Sequence, residues 1–205
     1  MRPSKILCVG KNYAAHAKEM GGEVPPDPLV FLKPSSSVIG DGESIVIPSW
    51  AGRIDYEGEI AVVIGRPARG VAPGDAWKHV GGIVPLNDVT ARDLQRKDRQ
   101  WARAKGFDTF CPMGPWIATD LDSRDLVIRS WVNGELRQDG RTSEMIFGVA
   151  ELLSFISGIM TLFPGDLVST GTPAGVGPLG DGDRVRVRVE HIGDLENPVR
   201  NSSRE

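Results

Sequence analysis

The chain has 205 residues, 40% of them hydrophobic and 25% charged, with a formal net charge of −3. This is the profile of an ordinary soluble globular protein able to bury a sizeable core, and it lacks the basic surface that a nucleic-acid partner requires. The apolar run ahead of Gly10 is too short for a secretory leader or a membrane helix, so no membrane partner is expected, the expected location is cytoplasmic, and residues 1–205 are expected to form one domain.

In chain order, "KILCVG" (5–10) reads as a strand and "NYAAHAKEM" (12–20) as a short helix stopped by Gly21-Gly22. "PPDP" (25–28) is a loop, and "LVFLK" (29–33) a second strand. "SVIGDGESIVIP" has the pattern of a hairpin turning at 40–43, and "LVIRSWVNGELRQDG" that of a stronger one, because Asn133-Gly134 suits a type I′ turn. "EMIFGVAELLSFISGIMTLF" (144–163) is the one good core helix, with a buried span of mixed type as the alternative, placed either inside the subunit or at a dimer contact. "RVRVRVE" (184–190) alternates Arg with Val and predicts a strand wet on one face, while the tail 201–205 is expected to be disordered. With 25 Gly and 15 Pro in short clusters, the chain reads as mixed β with few helices.

Within "RIDYEGEIAVVIG" (53–65), Glu57 and Glu59 fall two residues apart in a predicted strand, which puts both side chains on one face at a Cα spacing of roughly 7 Å. On a dry face two such carboxylates repel and pay for desolvation unless one takes a proton or a cation joins them. The pattern alone leaves two readings open, hydrated glutamates at a strand edge or oxygen ligands of a divalent ion. Asp88, at the end of the apolar run in "GGIVPLNDVTARDLQ", is similarly either a cap for a helix opened by Thr90 or a third ligand. His16 and Glu19, at i and i+3 of the first helix, share a face and make a candidate base with its orienting carboxylate, although a surface histidine has the same pattern. Three carboxylates without a thiol or paired histidines suit Mg²⁺ or Mn²⁺ better than structural zinc.

Cys8 and Cys111 stand far apart with no Cys-x-x-Cys pairing, so both are expected to be reduced and unligated. Gly175, Gly177 and Gly180 match the spacing of a dinucleotide fingerprint. Pro178 interrupts it, however, and a strand follows where that motif needs a helix. A rigid loop bordering a small-ligand pocket, with amides facing an anion, is the better reading.

Taken in order, "VGKNYAAHAKEM", "PLVFLKPSSSVIG", "DYEGEIAVVIG", "NDVTARDLQ", "WARAKGFDTFCPMGP", "VNGELRQDG" and "PGDLVSTGTPAGVGP" make the chain resemble the fumarylacetoacetate hydrolase family, above all its short acylpyruvase-like and 2-hydroxyhepta-2,4-diene-1,7-dioate isomerase-like members. The resemblance implies a β-sandwich or β-roll assembled as a homodimer, with Glu57, Glu59 and Asp88 holding Mg²⁺ or Mn²⁺. It implies that His16 and Glu19 form a catalytic dyad on a mobile segment hinged at Gly10, Gly21 and Gly22, and that Lys105 faces the reacting oxyanion. Lys11, Arg92 and Gln95 would hold the substrate, with Lys33 and Thr172 close by. Read without the resemblance, Lys33, Arg92 and Lys105 are surface charges. Many relatives carry Arg where Lys11 stands, and a lysine does not reproduce the two-pronged grip of a guanidinium. The implied activity is metal-dependent cleavage of a C–C bond in acylpyruvate-type 2-oxo acids through a metal-bound enolate. The alternatives are decarboxylation or isomerisation of 2-oxo or 2-hydroxy-dienoic diacids, as in aromatic catabolism, or a non-catalytic metal-binding homologue.

Overall fold

A computed structural model describes residues 3–121 and 124–202. Two five-stranded sheets dominate. The first runs, edge to edge, Leu29–Lys33, Ile6–Gly10, Leu167–Ser169, Gly58–Ile64, Val80–Asn87, with one parallel pairing, between Ile6–Gly10 and Leu167–Ser169. The second runs Glu135–Arg141, Val127–Val132, Arg184–Val189, Gly193–Asn201, Ile45–Ile47. The sheets meet through Gly58–Ile64 and Val80–Asn87 of the first and Val127–Val132, Arg184–Val189 and Gly193–Asn201 of the second, which makes the expected mixed-β sandwich. In Arg184–Val189, Val185, Val187 and Val189 are buried while the arginines face outward, each valine contributing about 1.5–3 kcal/mol of apolar burial. Asn133 and Gly134 both have positive φ (52° and 84°), as the predicted type I′ hairpin requires.

Other segments depart from their local signals. The pattern at 38–47 is not a hairpin: Val38–Ile39 pairs in parallel with Cys111–Pro112, and Ile45–Ile47 pairs in parallel with the C-terminal strand Gly193–Asn201. Short apolar runs take whichever partner completes the core, and here both partners are distant in sequence. The expected helix at 144–163 is helical only over Val149–Ile159. It buries Leu152, Leu153 and Ile156 in the core and leaves Ile159 and Phe163 exposed. Asn201, expected to be disordered, is paired with Ile47, and the Ser202 N–H donates to the Ile47 carbonyl; the rest of that tail lies outside the described residues. Among the described residues no helix is long and apolar enough to cross a membrane.

The strand expected at 53–65 is divided. Ile54–Tyr56 belongs to a small sheet with Gly177–Leu179 and Thr90–Ala91, whereas Gly58–Ile64 belongs to the first large sheet. Glu57 sits at the crossing, its N–H donating to Asn87 Oδ1 (2.9 Å) and its carbonyl accepting from the Asp88 N–H (2.8 Å). Gly58 is needed there, because a Cβ would stand 2.2 Å from Ser130 Oγ.

Candidate metal and substrate site

The crossing at Glu57 brings the end of one strand, the start of the next and the end of Val80–Asn87 to one point. Glu57, Glu59 and Asp88 are all buried there, with carboxylate oxygens within 4.8 Å of one another. Asp88 is not a helix cap: the helix Arg92–Lys97 begins after Ala91 without a side-chain cap, and Thr90 lies in a short strand.

Three buried cations enclose the triad. Lys105 Nζ donates to Glu57 Oε2 (2.7 Å) and Asp88 Oδ2 (2.6 Å), and lies 5.0 Å from the centre of the Phe31 ring. Arg92 donates from Nη2 to Glu57 Oε1 (2.7 Å), from Nε to Asp55 Oδ2 (2.8 Å) and from Nη1 to Gln95 Oε1 (2.6 Å). Lys33 Nζ donates to Asp88 Oδ1 (2.6 Å) and the Val89 carbonyl (3.1 Å). The surface reading of these three residues is therefore overturned. Cations this well shielded persist only where carboxylates face them. Asp55 escaped the sequence reading, although it shares parity with Glu57 and Glu59 two residues upstream; its role is visible only through Arg92.

Glu59 is the member without a cation. Its Oε2 accepts from the Ser169 hydroxyl and from the Gly171 N–H (2.8 Å), and among the described residues no ion pair reaches it. Burial, reinforced by the Asp88 and Glu57 carboxylates, pushes its carboxyl well above the ordinary value. Burial would raise Glu57 as well, but Lys105 and Arg92 outweigh it and hold that carboxyl well below. For Lys105, burial works towards neutrality and is overcome by Asp88 and Glu57, so the ammonium stays charged. The donor set is all oxygen, one of its carboxylates lacks a counter-charge, and a hard divalent cation fits it.

A cavity of about 180 Å³, room for roughly six waters, opens onto the triad. Its wall includes nearly every residue singled out from the sequence: His16, Lys11, Arg92, Gln95, Lys105 and Thr172 as well as the three carboxylates. Lys33 and Glu19 stand behind it. Phe31, Trp101 and Met20 are wall residues that fall inside the quoted motifs without being assigned a role by them, and Arg96 lies just beyond one.

His16 lies in the helix Ala14–Glu19, shorter than predicted because Asn12 is buried as an anchor that accepts from the Phe147 N–H and donates to the Phe147 and Thr170 carbonyls. His16 Nδ1 is 3.2 Å from Glu19 Oε2, and the Gly175 N–H donates to the same carboxylate (3.1 and 3.2 Å to its two oxygens). Gly21 (φ 69°) ends this segment as expected. Gly10 instead lies in a strand, where it makes room for Trp101. The amides of the glycine-rich loop are therefore given to Glu59 and Glu19, and Thr172 Oγ1 donates to the Gly58 carbonyl (2.8 Å). Cys8 and Cys111 are free and buried; burial raises both thiols, that of Cys111 to about 12, which leaves neither available as a nucleophile.

The family model described as fumarylacetoacetate (FAA) hydrolase C-terminal matches residues 5–200. A solved structure of 5-carboxymethyl-2-hydroxymuconate delta-isomerase from Mycobacterium smegmatis superimposes with a TM-score of 0.94 at 52% identity, covering 100% of this chain and 81% of that one. Fumarylpyruvate hydrolase from Pseudomonas aeruginosa, solved in complex with Mn²⁺ and pyruvate, gives 0.93 at 36% identity over 98% of this chain and 91% of its own. A mitochondrial protein of Homo sapiens named oxaloacetate tautomerase FAHD2A is 41% identical over 97% of this chain and 67% of its own length.

Proposed function

Because this chain belongs to the fumarylacetoacetate hydrolase family, whose members are enzymes, we propose that it is a divalent-metal-dependent hydrolase cleaving a C–C bond in acylpyruvate-type 2-oxo acids. The observation that carries this reading is the pairing, across one small cavity, of a base held by a carboxylate with a buried carboxylate triad in which Glu59 has no ion-pair partner among the described residues.

A divalent cation held by Glu57, Glu59 and Asp88 would supply Lewis acidity for the carboxylate and keto oxygens of a 2-oxo acid. Glu19, fixed by the Gly175 amide, holds Nδ1 of His16, so the other ring nitrogen is the one offered to the cavity. His16 takes a proton from water as the oxygen attacks the distal carbonyl. Lys105 donates to the oxyanion that forms. The C–C bond then breaks, its electron pair passes to the pyruvate carbon, and the proton on His16 returns there, giving pyruvate and a carboxylic acid. Arg92 keeps Glu57 and Gln95 in place throughout.

A second reading is tautomerisation or isomerisation of a 2-oxo diacid, in which His16 moves a proton on carbon and no water attacks. It is favoured by the names of relatives more similar than the fumarylpyruvate hydrolase, an isomerase at 52% identity and a tautomerase at 41%. The test is turnover of fumarylpyruvate, acetylpyruvate and enol-oxaloacetate by chelator-stripped and Mg²⁺- or Mn²⁺-reloaded protein, with His16→Ala as control. Metal-restored release of pyruvate, reduced about 10²- to 10⁴-fold in His16→Ala, is expected. Enol-to-keto conversion of oxaloacetate without cleavage of either acylpyruvate would replace hydrolysis by the second reading.

A further inference from the structure

We propose that Tyr56, which does not line the cavity, is a positioning residue for the base: its hydroxyl fixes the Gly175 backbone, and through the Gly175 amide it fixes Glu19 and the ring of His16. The inference rests on His16 serving as the base, which the hydrolase and tautomerase readings share, and it assigns the orientation of that base to a residue outside the cavity.

The Glu19 side chain is 33% exposed, and its hold on His16 is a single contact of 3.2 Å. Its one other partner among the described residues is the Gly175 N–H, at 3.1 and 3.2 Å from the two carboxylate oxygens. The dyad is therefore only as well oriented as Gly175. That residue has φ 100°, and a Cβ there would stand 2.1 Å from the Arg137 carbonyl, so only glycine fits. Glycine also has the most backbone freedom, and its N–H keeps one direction only where neighbours impose it.

They impose it from two sides. On one, the Tyr56 hydroxyl donates to the Gly175 carbonyl (2.8 Å). The Tyr56 ring is buried in the core cluster that holds Ile54, Ala91 and Leu179, and its backbone pairs with Gly177, so this donor has little room to swing away. On the other side, Gln138 is fully buried in the strand Glu135–Arg141 and uses every bond its amide group can make. Its Nε2 donates to Thr172 Oγ1 (2.7 Å) and the Pro173 carbonyl (2.8 Å), and its Oε1 accepts from the Gly58 N–H (2.9 Å) and Ser130 Oγ (2.8 Å). Gln138 thus ties the loop that carries Gly175 to the residue between Glu57 and Glu59, and holds base and triad to a common frame. A ring that served packing alone would not need the Tyr56 hydroxyl, and Tyr56→Phe removes that hydroxyl without changing the shape of the ring.

The test is a double-mutant cycle on Mg²⁺-loaded wild type, Tyr56→Phe, Glu19→Ala and the double variant. The substrate is whichever of fumarylpyruvate, acetylpyruvate and enol-oxaloacetate the wild type turns over. Tyr56→Phe is expected to lower kcat about five- to tenfold, with KM within about twofold and calorimetric Mg²⁺ affinity unchanged. In the Glu19→Ala background the same substitution should change kcat by less than about twofold, because the link through which it acts is gone. Equal factors in both backgrounds, an unchanged kcat in Tyr56→Phe, or a loss of Mg²⁺ affinity that accounts for the lost rate would overturn the assignment. Hydrogen exchange reads the same linkage without substrate: Tyr56→Phe should speed amide exchange in residues 14–19 and 170–176 and leave Val149–Ile159 unchanged. No change in residues 14–19 would also overturn it. If the wild type turns over none of the three substrates, both activity readings fail, and exchange alone decides whether Tyr56 holds Glu19.

Discussion

Glu59→Gln separates the cost of the carboxylate triad from its use. Only one oxygen of Glu59 is held by the protein, accepting from Ser169 and Gly171, so the glutamine carbonyl can keep both bonds while its amide group takes the side that faces the cavity. At an effective dielectric of about 20, carboxylates whose oxygens lie within 4.8 Å repel by at least about 3.5 kcal/mol, an effect that Lys105 and Lys33 partly offset. We expect a net gain of about 1–2 kcal/mol for the metal-free variant at pH 8, or about 2–8 °C in Tm for a domain of this size. The size of the effect changes with pH in a defined way. Because the Glu59 carboxyl is raised in the folded protein, its contribution is fully present below the unfolded value near 4.3 and is lost as pH rises through the folded value. The advantage of Glu59→Gln in chelator should therefore shrink towards pH 5. With Mg²⁺ at a hundred times its dissociation constant the wild type gains about 2.7 kcal/mol, and the variant should lose most of that gain. Thermal melts at pH 5 and 8, with chelator and with Mg²⁺, read all four quantities. A loss of stability equal at both pH values, or undiminished stabilisation of the variant by Mg²⁺, would refute the reasoning.

Glu57→Gln should behave oppositely in chelator, destabilising by about 3–5 kcal/mol in denaturant melts, because Arg92 and Lys105 lose a buried counter-charge. Gly58→Ala is expected to cost about 1–3 kcal/mol by overpacking against Ser130 and Gln138, and a neutral result would show that the strand crossing has slack. Asp166 is fully buried and accepts from Ser4 Oγ (2.5 Å), the Phe163 N–H (2.8 Å) and Lys5, tying the first strand to Leu167–Ser169. Burial would raise this carboxyl, but the bonds from Lys5, Ser4 and Phe163 hold it below its ordinary value. Its contribution is thus present above about pH 3.9 and lost as pH falls through the folded value. Asp166→Asn should cost about 1.5–3 kcal/mol at pH 7 and flatten the acid limb of the stability curve, measured by urea unfolding between pH 2 and 7.

The sequence by itself determined the elements whose signals are local. The Asn133-Gly134 turn, the Arg/Val alternation at 184–189 and the strand at 29–33 depend on backbone preference and periodicity within a few residues, and each formed as read. The same holds for the parity of Glu57 and Glu59 and for the i, i+3 pairing of His16 with Glu19. An ordered run of family motifs added Asp88, Lys105, Arg92 and Thr172, whose chemistry is not visible from spacing. Tertiary structure decided what depends on distant partners. Ile45–Ile47 joined the C-terminal strand because that edge completed the second sheet. The apparent single strand at 53–65 was divided because Glu57 had to pass from one sheet to another over Gly58. Lys33, Arg92 and Lys105 are sequence-wise ordinary surface cations; only the fold brings Asp55, Glu57 and Asp88 against them and so makes their burial affordable. Arg96 carries no motif at all, and its place on the cavity wall follows from the pitch of the helix that Arg92 fixes in position.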